Sequence, residues 1–143
     1  GKVVYKPLYG FDGNGIRLVE RPDDLGPGPW YLQEYVPNDR DFRVFVIGGE
    51  TVGAIARVSE GLMHNIHQGG IGSPVPIDEE MRAIAEASAR AVDIDYCGVN
   101  LLRDKEGYTV LEVNGTPNWH CMAAPIPRLL AAYLIERRRA MRG

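Results

Sequence analysis

The stretch TVLEVNGTPNWHC, from Thr109 to Cys121, is typical of a strand that stops at a turn. Side chains alternate between the two faces of a strand, so Glu112 and Asn114 project from one side. Leu111 and Val113 project from the other side, which we expect to face a core. A carboxylate and a carboxamide on one face of a strand end either meet water or hold a hard cation through their oxygens.

The segment before this strand predicts its partner. YCGVNLLR, from Tyr96 to Arg103, has the composition of a strand, and DKEG is a turn that joins the two strands into a hairpin. Hairpin pairing brings Asn100 near Glu112 and Asn114. One carboxylate, two amide oxygens and nucleotide phosphates can serve magnesium, which keeps several of its waters. The alternative is that these polar groups only cap strand ends.

The bulk properties exclude several classes of protein. The chain has 143 residues, 45% of them hydrophobic, and a formal net charge of -3, which predicts a globular domain or two small lobes without a basic field for nucleic acid. Its apolar runs are too short for a membrane span, and we expect no secretion signal. Two cysteines are too few for a disulfide scaffold, so a cytoplasmic protein is expected. Because GKVVYKP already resembles a strand, we expect the chain to be the C-terminal part of a longer protein.

The pattern of elements predicts an α+β chain with mostly antiparallel sheet. Strands are expected at Val3–Lys6, Ile16–Val19 and 30–36, with a hairpin over 41–58 that turns at Gly48 and Gly49. A loop is expected at 59–76, a helix at Asp78–Val92, the hairpin described above, and a last helix at Pro125–Arg139. We divide the chain into lobes at 1–58 and 59–143.

A glycine-rich segment follows the first strand. Lys6 ends that strand, and Gly10, Gly13 and Gly15 come next. Glycines let backbone N–H groups approach an anion, and a lysine ammonium neutralises it, so the segment suits a phosphate clamp. The alternative is an ordinary glycine-rich hairpin turn.

Two further segments carry polar groups that suit a nucleotide. QEYV, from Gln33 to Val36, ends a strand before a proline and could offer backbone groups to a base, or could be a plain edge strand. Asp41 and Arg43 share one strand face, where the carboxylate suits a ribose hydroxyl and the guanidinium fork suits a phosphate or carboxylate. Arg57, at the end of the next strand, could join them. The alternative is a cross-strand charge network on a solvated face.

The histidines invite a zinc hypothesis. His64 and His67 lie in HNIHQ, with His120 and Cys121 elsewhere. A structural zinc site usually needs a compact set of four ligands, and this loop has no nearby cysteine pair. We therefore prefer a binding loop or a surface loop over a zinc hydrolase.

The order of these motifs resembles that of ATP-grasp ligases. Lys6 with its glycines is followed by QEYV, RDFR, HNIHQGG, CGVNLL and LEVNGTP. The resemblance is closest to the RimK-like glutamate ligases, including those that act on ribosomal protein tails and on archaeal pterin or deazaflavin coenzymes. It covers nearly all of the chain and implies two antiparallel-sheet lobes with helices and a nucleotide cleft between them.

The resemblance implies a role for each predicted site residue. The implied ATP-binding residues are Lys6, Gly10, Gly13 and Gly15 at the phosphates, Gln33, Glu34 and Tyr35 at the adenine, Asp41 at the ribose, and Asn65 at the nucleotide or substrate. The implied catalytic residues are Arg43, which would face the transferred phosphate or the acceptor carboxylate, and Arg57. The implied ligands of Mg²⁺, or of Mn²⁺, are Asn100, Glu112 and Asn114.

The chain departs from the family pattern at several points. The family usually has aspartate at the position of Asn100, so the loss of a unit charge should weaken metal binding. An arginine is common where this chain has Met63, and the connector at 21–29 is too short for the helix that many relatives have there. The resemblance also implies an N-terminal α/β domain and a first lobe with a further lysine, which we expect to precede residue 1.

The implied activity is that of a carboxylate–amine ligase. ATP would phosphorylate a substrate carboxylate, and the amine of glutamate or another amino acid would displace phosphate from the acyl phosphate. The expected partners are a small-molecule or peptide acceptor, an amino acid and the missing upstream region of the same protein, and a homo-oligomer is compatible with this assignment. The rival hypothesis is a non-catalytic nucleotide-binding module, which Asn100 and the missing lobe favour.

Overall fold

The computed structural model describes residues 1–9, 14–58 and 71–142 of the chain. The described residues form two sheets and two α-helices. The strands are β1 (Val3–Lys6), β2 (Arg17–Val19), β3 (Tyr31–Glu34), β4 (Asp41–Ile47), β5 (Glu50–Val58), β6 (Ile71–Pro74), β7 (Tyr96–Asp104) and β8 (Gly107–Asn114). The helices are α1 (Glu79–Ala91) and α2 (Ile126–Ala140). The α+β class predicted from the sequence is confirmed.

The first sheet is three-stranded, in the order β2-β1-β3, and all of its pairs are antiparallel. Its third strand is shorter than the predicted 30–36, because the chain leaves the sheet after Glu34, ahead of Pro37. The connector between β2 and β3 contains a single 3-10 turn, Pro22–Asp24, which begins with proline as such turns often do.

The second sheet is five-stranded and antiparallel, in the order β6-β5-β4-β7-β8. The hairpin of β4 and β5 turns at Gly48 and Gly49, whose φ angles of 62° and 85° are ones that glycine adopts without strain. The prediction of a continuous loop over 59–76 was wrong at its end, because 71–74 pairs with β5 as a short edge strand. Its last residue, Pro74, is tolerated because the outer side of an edge strand needs no donor.

The two sheets divide the chain between β3 and β4. The sequence placed the boundary between lobes at residue 58, yet β4 and β5 share one sheet with β6, β7 and β8. Long-range pairing of β4 with β7 is responsible, since Val44 lies opposite Val99 and Val46 lies opposite Cys97.

Helix α1 covers one face of the five-stranded sheet. Its first turn is capped by Asp78, whose side chain accepts a hydrogen bond of 2.8 Å from the backbone N–H of Met81. The buried residues of this face form one cluster: Val44, Val46, Ala54, Met81, Ala85, Ala89, Cys97, Val99, Leu101 and Tyr108. Burial of this apolar surface is the main force that holds the helix to the sheet.

A β-bulge in β8 changes which residues face this cluster. Asn100 lies opposite Glu112, but Leu101 lies opposite Val110, so Leu111 is the extra residue. As a result Val110 and Val113 both pack against the cluster. The prediction that Leu111 faces the core with Val113 was therefore wrong, because a bulge interrupts the two-residue period.

Helix α2 covers only one end of the opposite face. Phe45, Ile47 and Ile126 are buried there, and Tyr133 packs against them. The other end of the same face carries charged and amide side chains. None of the described helices is long and apolar enough to cross a membrane.

Candidate active site

Three polar residues form a row across the end of the five-stranded sheet that α2 does not cover. Arg43 of β4 lies opposite Asn100 of β7, which lies opposite Glu112 of β8. The Nε of Arg43 donates to Oδ1 of Asn100 at 2.9 Å, and Nδ2 of Asn100 donates to Oε1 of Glu112 at 2.6 Å. The predicted proximity of Asn100 to Glu112 is therefore present, together with a link to Arg43 that the sequence did not indicate.

A second pair lies beside this row. Arg57 of β5 faces Asp41 of β4, and its Nε and Nη2 donate to the two carboxylate oxygens at 2.6 Å each. Both residues are buried, with 2% and 5% of their surface exposed. A contact of Asp41 with a ribose hydroxyl would have to share these oxygens with the guanidinium.

The two arginines lie on the same face of the sheet, because Arg43 follows Asp41 by two residues and Arg57 lies opposite Asp41. Burial, together with the positive charge of Arg57, lowers the pKa of Arg43 to about 10, although Glu112 and Asp41 act in the opposite direction. Arg43 therefore remains charged at neutral pH. Asp41 neutralises Arg57, whereas the direct partner of Arg43 is the uncharged amide of Asn100, so Arg43 favours an anionic ligand at this end of the sheet.

Asn114 lies on the same face as this row, two residues further along β8, opposite Gly98. Its Oδ1 accepts a hydrogen bond of 2.9 Å from the backbone N–H of Thr116, which forms the turn after the strand. A carbonyl oxygen has two acceptor sites, so this bond leaves one site for a ligand.

The donor set fits a hard cation that keeps waters and phosphate oxygens. Glu112 supplies an exposed carboxylate and Asn114 a half-buried amide oxygen on the same face. No group of three or more histidine, cysteine or acidic side chains suited to a metal occurs in the described part of the chain. A magnesium ion held here would therefore depend on one carboxylate and amide oxygens, completed by water and nucleotide.

Three of the predicted nucleotide-binding residues, Lys6, Gln33 and Glu34, lie on strands of the three-stranded sheet. Lys6 and Gln33 share one face, and the Nζ of Lys6 lies 5.9 Å from the centroid of the Tyr31 ring. The Oε1 of Gln33 is buried and has no hydrogen-bond partner among the residues that the structure describes. Glu34 projects to the opposite face and is exposed, and Tyr35 follows the strand.

Of the glycines after β1, only Gly15 is described. It has a φ of 81°, and a Cβ added to it would lie 2.9 Å from Cγ of Pro7, so the turn requires glycine. Gly10, Gly13 and Asn65 lie outside the described residues. His64, His67 and Met63 do so as well, and His120 and Cys121 are exposed.

The sequence did not indicate that the segment after β8 packs closely against Gly98 of β7. A Cβ added to Gly98 would lie 2.7 Å from Cβ of Pro117 and 3.3 Å from Cδ of Arg43. Gly98 thus lets Pro117 pack directly on the sheet beside the arginine. A glycine inside an apolar strand, as in CGVNLL, is the signal that could have revealed this contact.

Comparison with known proteins identifies the class. The chain belongs to the RimK-like ATP-grasp family. The family model, described as a RimK-like ATP-grasp domain, matches residues 3–136. It is 36% identical over 132 residues to a tetrahydromethanopterin:alpha-L-glutamate ligase of Methanococcus maripaludis, with 82% of this chain and 45% of the relative covered. It is 36% identical over 147 residues to a probable alpha-L-glutamate ligase of Parasynechococcus marenigrum, with 94% of this chain and 32% of the relative covered.

Solved structures share the fold. The ATP-grasp ligase PsnB, complexed with a phosphomimetic variant of its minimal precursor, Mg and ADP, has a TM-score of 0.75 and 25% identity, covering 96% of this chain and 47% of PsnB. A D-alanine–D-alanine ligase from Bacillus anthracis complexed with ATP has a TM-score of 0.69 and 17% identity, covering 100% of this chain and 55% of that ligase. The chain therefore spans about half or less of the length of these relatives, and the predicted ATP-grasp fold is confirmed.

Proposed function

We propose that this chain is part of an ATP-dependent carboxylate–amine ligase that adds glutamate, or another amino acid, to a carboxylate acceptor. A carboxylate oxygen of the acceptor attacks the γ-phosphorus of ATP, and the bond from that phosphorus to the bridging oxygen breaks, which gives an acyl phosphate and ADP. The amine nitrogen of the amino acid then attacks the acyl carbon. Phosphate leaves, the amine loses a proton, and an amide bond has formed.

The observation that carries this proposal is the pair of buried arginines beside Glu112. Arg43 would attract the acceptor carboxylate or the phosphoryl group in transfer, and Arg57 would assist as a hydrogen-bond donor from the neighbouring strand. Asp41 balances the charge of Arg57 and holds its guanidinium through two bonds of 2.6 Å, so the guanidinium is fixed in place before a substrate arrives. Phosphoryl transfer depends mostly on such positioning and charge neutralisation.

Glu112 and Asn114 would hold the divalent cation. Magnesium is the first choice, and manganese accepts the same oxygen ligands. The cation, when bound, would neutralise charge on the distal phosphates of ATP. Support comes from the shared face of the two residues and from the solved PsnB complex that contains Mg and ADP.

The nucleotide would lie between the two sheets. Lys6 supplies a cation for the phosphates, and the buried Oε1 of Gln33 offers an acceptor without a partner among the described residues. Glu34 and Tyr35 would border the base, and Asp41 the ribose. Gly10, Gly13 and Gly15 would line the phosphates and Asn65 the nucleotide or substrate, by family resemblance alone. The enzyme would act in the cytoplasm, with the rest of the site supplied by an N-terminal region.

A non-catalytic nucleotide-binding module is the second candidate. The observation that favours it is Asn100, which leaves a single carboxylate, that of Glu112, in the row next to Arg43. Such a module would bind ATP with little dependence on magnesium and would release no phosphate.

The deciding experiment uses the full-length protein. ATP is titrated by calorimetry with and without magnesium, and phosphate release is measured with glutamate and other amino acids in the presence of a mixture of candidate acceptors. The ligase predicts magnesium-dependent ATP binding and release that requires an amino acid. Glu112→Gln should abolish release and leave the melting temperature unchanged, whereas Glu106→Gln, in the turn of the same hairpin, should behave like wild type. Metal-independent binding without phosphate release would support the module, and wild-type turnover by Glu112→Gln would refute the assignment.

A further inference from the structure

Asn100 connects an arginine to a carboxylate inside the sheet. The residue is 2% exposed, and both ends of its amide are hydrogen-bonded, to Nε of Arg43 and to Oε1 of Glu112. We propose that Asn100 is a positioning residue that links Arg43 to Glu112 and fixes the orientation of both, and that it is not itself a ligand of the cation.

The partners dictate which way the amide points. The Nε–H of Arg43 can only donate, and an ionised Glu112 can only accept. If the amide were turned around, two donors would face each other at Arg43 and two acceptors would face each other at Glu112. The oxygen of Asn100 is therefore directed to the arginine, and its NH₂ group, which cannot bind a cation, is directed to the carboxylate.

This arrangement favours one oxygen of Glu112. Because Oε1 already accepts the amide proton at 2.6 Å, Oε1 keeps one acceptor site for a cation and Oε2 keeps both of its sites. Asn114 lies on the same face of β8 and can supply the second protein oxygen.

The amide also makes the row complete without a metal. An aspartate at this position could still accept from Arg43, but one of its oxygens would face Oε1 of Glu112 where the structure has a bond of 2.6 Å. Two carboxylate oxygens at that distance repel each other unless a cation or a proton lies between them. With asparagine, the hydrogen bonds from the Arg43 guanidinium to the Asn100 amide and from that amide to the Glu112 carboxylate are already formed in the metal-free protein.

The test compares Asn100→Leu and Asn100→Asp with Glu112→Gln in the full-length protein. The first measurement is thermal unfolding in EDTA without nucleotide. Both Asn100 variants should lower the melting temperature by about 3 °C or more. In Asn100→Leu the buried Nε–H of Arg43 loses its acceptor, and in Asn100→Asp two carboxylate oxygens face each other without a proton between them. Glu112→Gln should not, because a glutamine oxygen can still accept from the amide. An unchanged melting temperature in Asn100→Asp, or in Asn100→Leu, would overturn the inference.

The second measurement is the magnesium concentration at which the magnesium-dependent increase in ATP affinity is half complete. In Asn100→Leu it should rise about tenfold, since a residue that orients a ligand typically changes metal affinity by that factor or more. ATP affinity is also measured without magnesium: a loss through Arg43 alone would lower the affinity equally with and without the metal, whereas a loss of orientation at Glu112 raises the magnesium concentration that is required. Complete loss of the magnesium effect, as expected for Glu112→Gln, would identify Asn100 as a ligand and overturn the inference.

This inference rests on the proposed function for the presence of the cation, but not for the hydrogen bonds. If wild-type protein binds ATP without regard to magnesium, the proposed function fails at that step. The metal-free melting temperatures then still decide whether Asn100 links its two neighbours.

Discussion

Arg57 and Asp41 face each other across β4 and β5, joined by two hydrogen bonds of 2.6 Å, and both side chains are almost completely buried. This pair fixes the Arg57 guanidinium on the same face of the sheet as Arg43, with its charge balanced by Asp41. It also gives Asp41 a structural task that does not depend on any bound nucleotide.

Asp41→Asn should therefore destabilise the protein in the absence of ligand. Removing one charge of a buried pair leaves the other uncompensated, which typically costs about 3 to 5 kcal/mol. Urea unfolding of the nucleotide-free protein measures the loss. Arg40→Gln is a suitable control, because Arg40 pairs with Asp39 at 2.7 Å on the surface and its loss should change stability little. Equal stability of Asp41→Asn and wild type would contradict the expectation.

Gly98→Ala should disturb the site through packing. The added Cβ would lie 2.7 Å from Cβ of Pro117. That ring carbon is attached directly to the backbone, and Gly98 lies within strand β7, so neither side of the contact can move easily. Overpacking of this kind costs about 1 to 3 kcal/mol, and the displaced Arg43 should reduce phosphate release. Gly53→Ala is the matched control on the same face, since the added Cβ meets only the flexible end of Met122 closely. A larger loss of stability in Gly53→Ala would contradict this account.

Asp78→Ala should weaken the start of α1 by about 1 to 2 kcal/mol, because the cap bond to Met81 and the bond from the Tyr108 hydroxyl are lost. Asp78→Asn keeps a capping oxygen, so its loss of unfolding free energy should be only a small fraction of the loss in Asp78→Ala. Thermal unfolding or urea titration distinguishes the two variants.

The same cap should produce a defined pH dependence. The backbone N–H of Met81 holds the pKa of Asp78 below its usual value of 3.8. A carboxyl with a lowered pKa stabilises the fold fully above that usual value, and the effect is lost as pH falls through the lower pKa of the folded state. The stability difference between wild type and Asp78→Ala should therefore be constant above about pH 5 and shrink in acid. A difference that grows in acid would exclude this origin.

Lys6→Met should lower ATP affinity about tenfold or more, because the variant loses a cation proposed to meet the phosphates. Lys2→Met is the control in the same segment, since Lys2 pairs with Glu20 at the surface at 2.7 Å and should bind ATP as wild type does. Titration of ATP in the presence of magnesium gives both affinities. Equal affinities for the two variants would remove Lys6 from the nucleotide site.

The sequence determined the local elements well where their patterns are strong. The first strand, both hairpins and both helices lie within one or two residues of their predicted ends, since alternation, a glycine pair and a capping aspartate are local signals. It failed at β6, because a four-residue edge strand that contains Gly72 and Pro74 becomes recognisable only when its partner β5 is known.

The sequence alone also determined that Glu112 and Asn114 share a face, because a spacing of two fixes the direction of side chains along a strand. It determined the family through the order of the motifs. Only the tertiary structure decided the partners: Asp41 with Arg57, and Arg43 with Asn100 and Glu112. The physical reason is that β4 pairs with a strand more than fifty residues away, and the register of such a pair depends on burial in a shared core rather than on any local pattern.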